Sequence, residues 1–258
     1  MTGALGDAIA FATAHESPWP RDPGAPPPPG GKPWGVHHDD PPPYNRLRGP
    51  VHARGPQSGV VVRHGEEIAA WGEPDRADLT FSVAKSYLAL LAGIAHDDGL
   101  LLDEDERVGD RIRGIGFDDS EHNRAITWGQ LLTQTSEWQG TSSFGIPDTV
   151  AISARDQARI GGMVLAGGTV RGRTIVSREW LERMATRCPI APWYGRLVWL
   201  NRDGKQFPGA STRAIVMQGA GDHTTWIDPE LDAVVVLRWV DPAQTRETFA
   251  RFGAALRR

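Results

Sequence analysis

The chain has 258 residues and a mass of 28.1 kDa, which suits one domain or one domain with a helical subdomain. A formal net charge of −4 and a pI near 6.1 give no electrostatic reason to expect a nucleic-acid partner. A single cysteine, Cys188, excludes an internal disulfide bond, and no apolar run approaches the ~18–20 residues that a membrane span needs.

The first 57 residues are interpreted as a proline-rich N-terminal arm. A short alanine-rich helix is expected over residues 5–14, and twelve of the twenty prolines follow between Ser17 and Pro50. Because proline lacks an amide proton and fixes φ, that segment is expected to be extended, and a linker without a binding role is the favoured interpretation. The His37-His38-Asp39-Asp40 group inside it has no further ligands at a fixed spacing, so no metal site is predicted.

Ordered structure is expected over residues 58–258. Residues 59–63 and 67–71 predict a β-hairpin with a glycine-containing turn, and a helix is expected from about 80 to 98 with Gly99 just after its end. A second helix over 127–135 belongs to a helical part placed at about 80–150.

The rest of the chain predicts two helices and then a run of strands. The helices are expected at 153–165 and 177–187, and each begins with a serine that can cap it. Strands are expected at 195–200, 214–218, 223–227 and 233–239, before a last helix at 244–256. Strands near both ends with helices between them predict an α/β fold in which N- and C-terminal strands share one sheet.

Ser82 and Lys85 form a Ser-x-x-Lys motif at the start of the helix expected over 80–98. Residues i and i+3 share a helix face, so the serine hydroxyl and the lysine amine can meet. A serine becomes a good nucleophile when a neighbouring base takes its proton, and a lysine can serve when burial lowers its pKa. The chain has only two other lysines, Lys32 and Lys205. The alternative is a capping serine beside a lysine that extends into solvent.

Several blocks resemble the penicillin-recognising (serine β-lactamase-like) superfamily, in its branch of class C β-lactamases, family VIII esterases and 6-aminohexanoate-dimer hydrolases. The first block is Thr80-Phe81-Ser82-Val83-Ala84-Lys85-Ser86. The others are residues 125–128, 131–136, 152–159, 218–222 and 226–230. Together they span most of residues 58–240 in the order that the family has them.

The resemblance implies a β-lactamase/transpeptidase-like fold, with an antiparallel sheet built from N- and C-terminal strands, flanking helices and a reduced helical subdomain. It also implies Ser82 as nucleophile and Lys85 as general base. The segment Gly219-Ala220-Gly221 resembles the third motif of the family, and with Asp222 it is expected to bind substrate. The N–H of Gly221 or Asp222 is expected to complete an oxyanion hole with that of Ser82.

One motif of the family is missing. Members carry Tyr-x-Asn or Ser-x-Asn between the first and third motifs, and its Tyr or Ser assists proton transfer to the leaving group. Neither occurs in residues 100–200, and none of the three tyrosines, Tyr44, Tyr87 and Tyr194, fits the motif. The chain passes almost directly from a block at 138–141 to one at 152–155. This predicts an internal deletion near residues 142–151 that has removed much of the helical subdomain.

The sequence therefore predicts a serine hydrolase that cleaves a small amide or ester through an acyl-enzyme at Ser82, without a cofactor or metal. The alternative is a catalytically impaired or inactive truncated relative that acts as a binding or structural module. A Ser-His-Asp triad through Asp222 and His223 is disfavoured, because no Gly-x-Ser-x-Gly segment occurs. The expected partner is a small-molecule substrate, with no membrane, and homo-oligomerisation is left open. No signal peptide is recognised, so the expected location is the cytoplasm.

Overall fold

A computed structural model describes residues 3–26, 52–101, 103–139 and 150–258. Most of the proline-rich segment expected at 17–50 lies outside the described residues. The same is true of most of the segment at 142–151 where a deletion is inferred. The division into an arm over 1–57 and a domain over 58–258 therefore stays a prediction.

The chain alternates short strands with eight helices in its described part. The helices are α1 Ala4–Ala14, α2 Val83–Asp97, α3 Val108–Arg111, α4 Glu121–Ala125, α5 Trp128–Thr133, α6 Ala154–Leu165, α7 Arg178–Met184 and α8 Thr245–Leu256. The strands are β1 Ser58–Arg63, β2 Glu66–Trp71, β3 Asp78–Leu79, β4 Ala151–Ile152, β5 Thr169–Val170, β6 Arg173–Thr174, β7 Trp199–Leu200, β8 Ile215–Gly219, β9 His223–Asp228 and β10 Ala233–Arg238. Among the residues that the structure describes, no helix is long and apolar enough to cross a membrane.

One six-stranded antiparallel sheet runs in the order β2-β1-β10-β9-β8-β7. The N-terminal strand β1 pairs with the C-terminal strand β10, for example Val60 opposite Val236, which confirms the predicted pairing of the two ends of the domain. The β1–β2 hairpin turns at His64 and Gly65, which both have positive φ, as tight two-residue hairpin turns require.

Helices cover both faces of this sheet. On one face α1 packs against α8, and Phe249 and Phe252 of α8 are fully buried against Trp226 and its neighbours. On the other face α6 crosses β1, β9 and β10, while α2 and α7 pack beside β8. The result is three layers, with an apolar core on each side of the sheet.

The predicted elements are present, with two differences. Helix α7 ends at Met184 rather than near 187, and β7 is reduced to Trp199–Leu200 because the preceding residues fold back on themselves. There the N–H of Gly195 donates to the carbonyl of Val198, and Leu197 has a φ of 54°. Helices α3 and α4 are additional; at four and five residues they are too short to show an apolar period.

Helix α2 is held against α7 by one close contact. Trp180 is fully buried, and its indole Nε1 donates to the Ala89 carbonyl at 2.9 Å. A Cβ on Gly93 would lie 2.2 Å from the Trp180 ring, so only glycine lets the two helices approach this closely. This packing fixes the helix that begins with the Ser-x-x-Lys motif.

Candidate active site

A tight turn before α2 presents Ser82 at the protein surface. Phe81 has a φ of 50°, and its ring packs edge-on against the rings of Trp19 and Trp239. The next two bonds are short-range, from Val83 N to the Thr80 carbonyl at 3.2 Å and onward into the first helical turn. Because Phe81 is anchored inward at this turn, Ser82 is exposed at the N-cap of α2.

Lys85 contacts the Ser82 hydroxyl directly. The distance between Lys85 Nζ and Ser82 Oγ is 2.8 Å, as the i, i+3 spacing predicts. Partial burial lowers the pKa of the Lys85 amine below its usual value near 10.5. Among the described residues that line the surrounding cavity there is no carboxylate to hold the proton on this amine. The pair can therefore pass a proton from the hydroxyl to the amine.

Ser82 and Lys85 open into a cavity of about 260 Å³. Its other described lining residues are Gln134, Tyr194, Leu197, Trp199, Gln218, Gly219 and Ala220. The volume lies at the lower end of the ~300–1,000 Å³ typical of ligand pockets, which suits a small acyl group.

The end of strand β8 lies directly against the turn that carries Ser82. A Cβ on Gly219 would lie 2.4 Å from the Thr80 carbonyl oxygen and 2.9 Å from the Ser82 nitrogen. Gly219 has an extended φ of −140°, so the close approach, rather than a special dihedral angle, requires glycine here. Gly219 and Ala220 thus border the reactive side chain, as the resemblance leads us to expect.

The next two residues of the same segment are placed differently. Gly221 is buried with a φ of 71°, and a Cβ there would meet the Trp239 ring at 2.6 Å. The Asp222 carboxylate accepts a hydrogen bond from Gln218 Nε2 at 3.3 Å, and burial raises the pKa of this carboxyl to about 6. Neither residue is among those that line the Ser82 cavity, so their role as oxyanion donors stays a prediction.

His223 is not part of a triad in this arrangement. It is fully buried beside Trp239, with ring centroids 4.4 Å apart, and does not line the Ser82 cavity. Burial lowers the pKa of its imidazole to about 3, which keeps it neutral.

Tyr194 and Gln134 are the polar residues of the cavity that sequence reasoning missed. The Tyr194 hydroxyl donates to Gln134 Oε1 at 2.8 Å, and burial raises the pKa of the phenol to about 12. Gln134 lies just after α5 with a φ of 57°, so its side chain leaves the helix and reaches Tyr194. The two are 60 residues apart in the chain. Only the sequence around Gln134, within a block that resembles the family, pointed to this place.

Solved structures with the same fold come from the serine β-lactamase and penicillin-binding protein group, which confirms the fold that the resemblance implied. A β-lactamase from Mycobacterium bovis is 16% identical, with a TM-score of 0.59 over 78% of this chain and 93% of that one. A proposed 6-aminohexanoate-dimer hydrolase from Bacillus anthracis is 12% identical, with a TM-score of 0.60 over 77% of this chain and 78% of that one. A family VIII carboxylesterase is 14% identical, with a TM-score of 0.55 over 76% and 91% of the two chains. No family model and no curated protein matches the sequence.

Proposed function

We propose that the protein is a serine hydrolase that cleaves a small amide or ester through an acyl-enzyme on Ser82. The observation that carries the proposal is the 2.8 Å contact between Ser82 Oγ and Lys85 Nζ at the mouth of a small cavity. The fold is shared with proteins whose titles describe β-lactamase, esterase and amide-hydrolase activities, which supports the reaction class.

In the acylation step, Ser82 Oγ attacks the carbonyl carbon while its proton passes to the neutral Lys85 amine. The tetrahedral oxyanion would be bound by the Ser82 N–H and by an N–H of the 219–222 segment, which β8 places next to it. When the bond to the leaving group breaks, the leaving nitrogen or oxygen takes a proton, and the acyl group remains on Ser82. Water then attacks the ester, gives its proton to Lys85, and the Ser82 hydroxyl is restored with release of the acid.

Tyr194 is proposed to supply the assistance to the leaving group that the missing Tyr-x-Asn motif gives elsewhere. Its hydroxyl lies in the cavity wall with Ser82 and Lys85, and Gln134 fixes its orientation. The raised pKa keeps the phenol protonated, so it would act as a hydrogen-bond donor to the leaving group rather than as a base. Lys85 would then remain the only base of the site.

A second candidate function is a non-catalytic binding or structural module. The absence of Tyr-x-Asn and Ser-x-Asn from residues 100–200 favours it, because loss of one proton-transfer partner costs ~10²–10⁴-fold in rate. Homo-oligomerisation and cytoplasmic location stay predictions under either function.

A fluorophosphonate probe and p-nitrophenyl esters of short acids distinguish the two functions. We expect a covalent adduct, located at Ser82 by mass spectrometry, in the wild type and none in Ser82→Ala. The matched control is Ser86→Ala, one helical turn further along α2. Because the Ser86 hydroxyl donates to the Leu197 carbonyl, the control variant is checked for folding by circular dichroism. A folded wild type without an adduct at Ser82 would sink the hydrolase proposal.

A further inference from the structure

A second cavity, of about 500 Å³, lies apart from the Ser82 cavity and shares none of its described lining residues. It is bordered by the segment after α7, by the loop after β7 and by the first turn of α8. Four basic side chains line it: Arg187, Arg202, Lys205 and Arg246. Asp203 is the one carboxylate among its described lining residues.

None of the four basic side chains forms an ion pair within the described part of the chain. Basic residues elsewhere pair with carboxylates; Arg155, for example, forms two bonds to Glu67. Two of the four are held by backbone carbonyls instead, since Arg202 donates to Ala185 at 2.6 Å and Arg246 donates to Lys205 at 2.7 Å. Carbonyl oxygens fix the orientation of a guanidinium without neutralising its charge.

Positive charge is therefore concentrated at one place in a chain whose net charge is −4. Burial, and then repulsion from Arg187 and Arg213, lowers the pKa of the Arg202 guanidinium, as expected where like charges face each other. With Asp203 counted, the lining carries a formal excess of three positive charges. Such a cluster costs energy unless an anion neutralises it.

An aromatic side chain completes the wall. Trp193 lines the same cavity and is 49% exposed, although an indole of this size usually buries most of its surface. An exposed indole beside arginines can stack on a planar ring. The cavity thus offers a site for multiple negative charge and a separate flat, apolar contact.

We propose that this cavity binds a phosphorylated small molecule with a planar ring, such as a nucleoside diphosphate. The phosphates would contact Arg187, Arg202, Lys205 and Arg246, and the ring would lie on Trp193. Arginine forks match the geometry of phosphate oxygens and form charge-assisted hydrogen bonds, which favours phosphate over a single carboxylate. The volume falls within the range of small-molecule sites.

Isothermal titration calorimetry with ADP, sodium pyrophosphate and adenosine tests this site on the full chain. We expect ADP to bind more tightly than pyrophosphate, and adenosine to show no binding tighter than about 1 mM. The double variant Arg187→Gln/Lys205→Gln removes two exposed cations that carry no hydrogen bond to the fold from their side chains in the described structure. It should weaken both anions by about 100-fold, or about tenfold for each charge-assisted contact.

The matched control is Arg171→Gln/Arg173→Gln, which removes the same charge from the exposed β5–β6 hairpin. It should change affinity by no more than about twofold, because remote surface charges are screened. Trp193→Ala should weaken ADP by about tenfold and leave pyrophosphate unchanged. The proposal is overturned if neither anion binds more tightly than about 1 mM, or if the control variant loses as much affinity as the cavity variant. Equal affinity for ADP and pyrophosphate overturns the ring contact.

Discussion

Replacing Gly219 by alanine tests how strand β8 positions the nucleophile. The added Cβ would lie 2.4 Å from the Thr80 oxygen, 2.9 Å from the Ser82 nitrogen and 3.0 Å from the Val83 nitrogen. All three are backbone atoms, so no side-chain rotation relieves the overlap. Close carbon–oxygen contacts in sheets lie at ~3.3–3.6 Å, which means that β8 and the turn must separate by roughly 1 Å.

Two effects should follow from that separation. Overpacking of this kind costs about 1–3 kcal/mol of unfolding free energy, and each kcal/mol lowers Tm by about 2–4 °C in a protein of this size. A displacement of roughly 1 Å at a reacting atom costs about 100-fold in rate, so labelling of Ser82 by a fluorophosphonate should slow by that factor.

Thermal unfolding and the labelling rate of Gly219→Ala measure the two effects separately. Gly162→Ala is the matched control, since no heavy atom lies within 4 Å of the Cβ it would add in α6. It should gain up to about 1 kcal/mol, because alanine favours the helix interior, and its labelling rate should not change. A Gly219→Ala variant that unfolds at the wild-type temperature and labels at the wild-type rate would refute the packing argument.

Three further outcomes follow from the site and its support. The labelling rate of the wild type should rise with pH as the Lys85 amine, whose pKa is lowered, loses its proton, and Lys85→Ala should be at least about 100-fold slower with no such rise; a variant as fast as wild type would exclude Lys85 as the base. Tyr194→Phe should lower kcat for p-nitroanilides by ~10–100-fold and leave p-nitrophenyl esters almost unchanged, because only the poor leaving group needs a proton; equal losses on both substrates would exclude that role. Asp78→Ala should lower the free energy of unfolding in urea by about 3–5 kcal/mol, because it leaves the buried Arg238 without its 2.9 Å partner, whereas Asp75→Ala, which removes an exposed carboxylate, should cost less than about 1 kcal/mol; similar losses would show that burial of the pair does not matter.

The main elements could be predicted because their signals are local. The His64-Gly65 turn marks the hairpin, and the serines at 153 and 177 accept hydrogen bonds from the backbone at the starts of α6 and α7. The Ser82–Lys85 contact is local as well, since it depends only on i, i+3 geometry in one helix. Short elements such as α3 and α4 were missed because four or five residues give no readable period.

The remaining parts of the cavity depend on contacts between distant segments. Tyr194 reaches Gln134 across 60 residues, and Gly219 meets the Thr80–Val83 turn only because β8 ends beside α2. Both arise from sheet order and helix packing, which no motif of a few residues encodes. The same holds for the four basic residues of the second cavity, since Arg246 lies on α8, far along the chain from the other three.

The position of Tyr194 also changes how the missing Tyr-x-Asn motif is interpreted. A proton donor is defined by where its hydroxyl lies, and the chain places a phenol in the wall of the Ser82 cavity from a segment just before β7. Ser82 acylation and turnover are therefore separate questions. The first depends on Lys85 alone, and the second depends on whether Tyr194 reaches the leaving group. A protein that labels at Ser82 and hydrolyses nitrophenyl esters but not anilides would possess the nucleophile and base without an effective proton donor. Hydrolysis of both classes, lost for anilides in Tyr194→Phe, would show that the fold has replaced the motif from another segment.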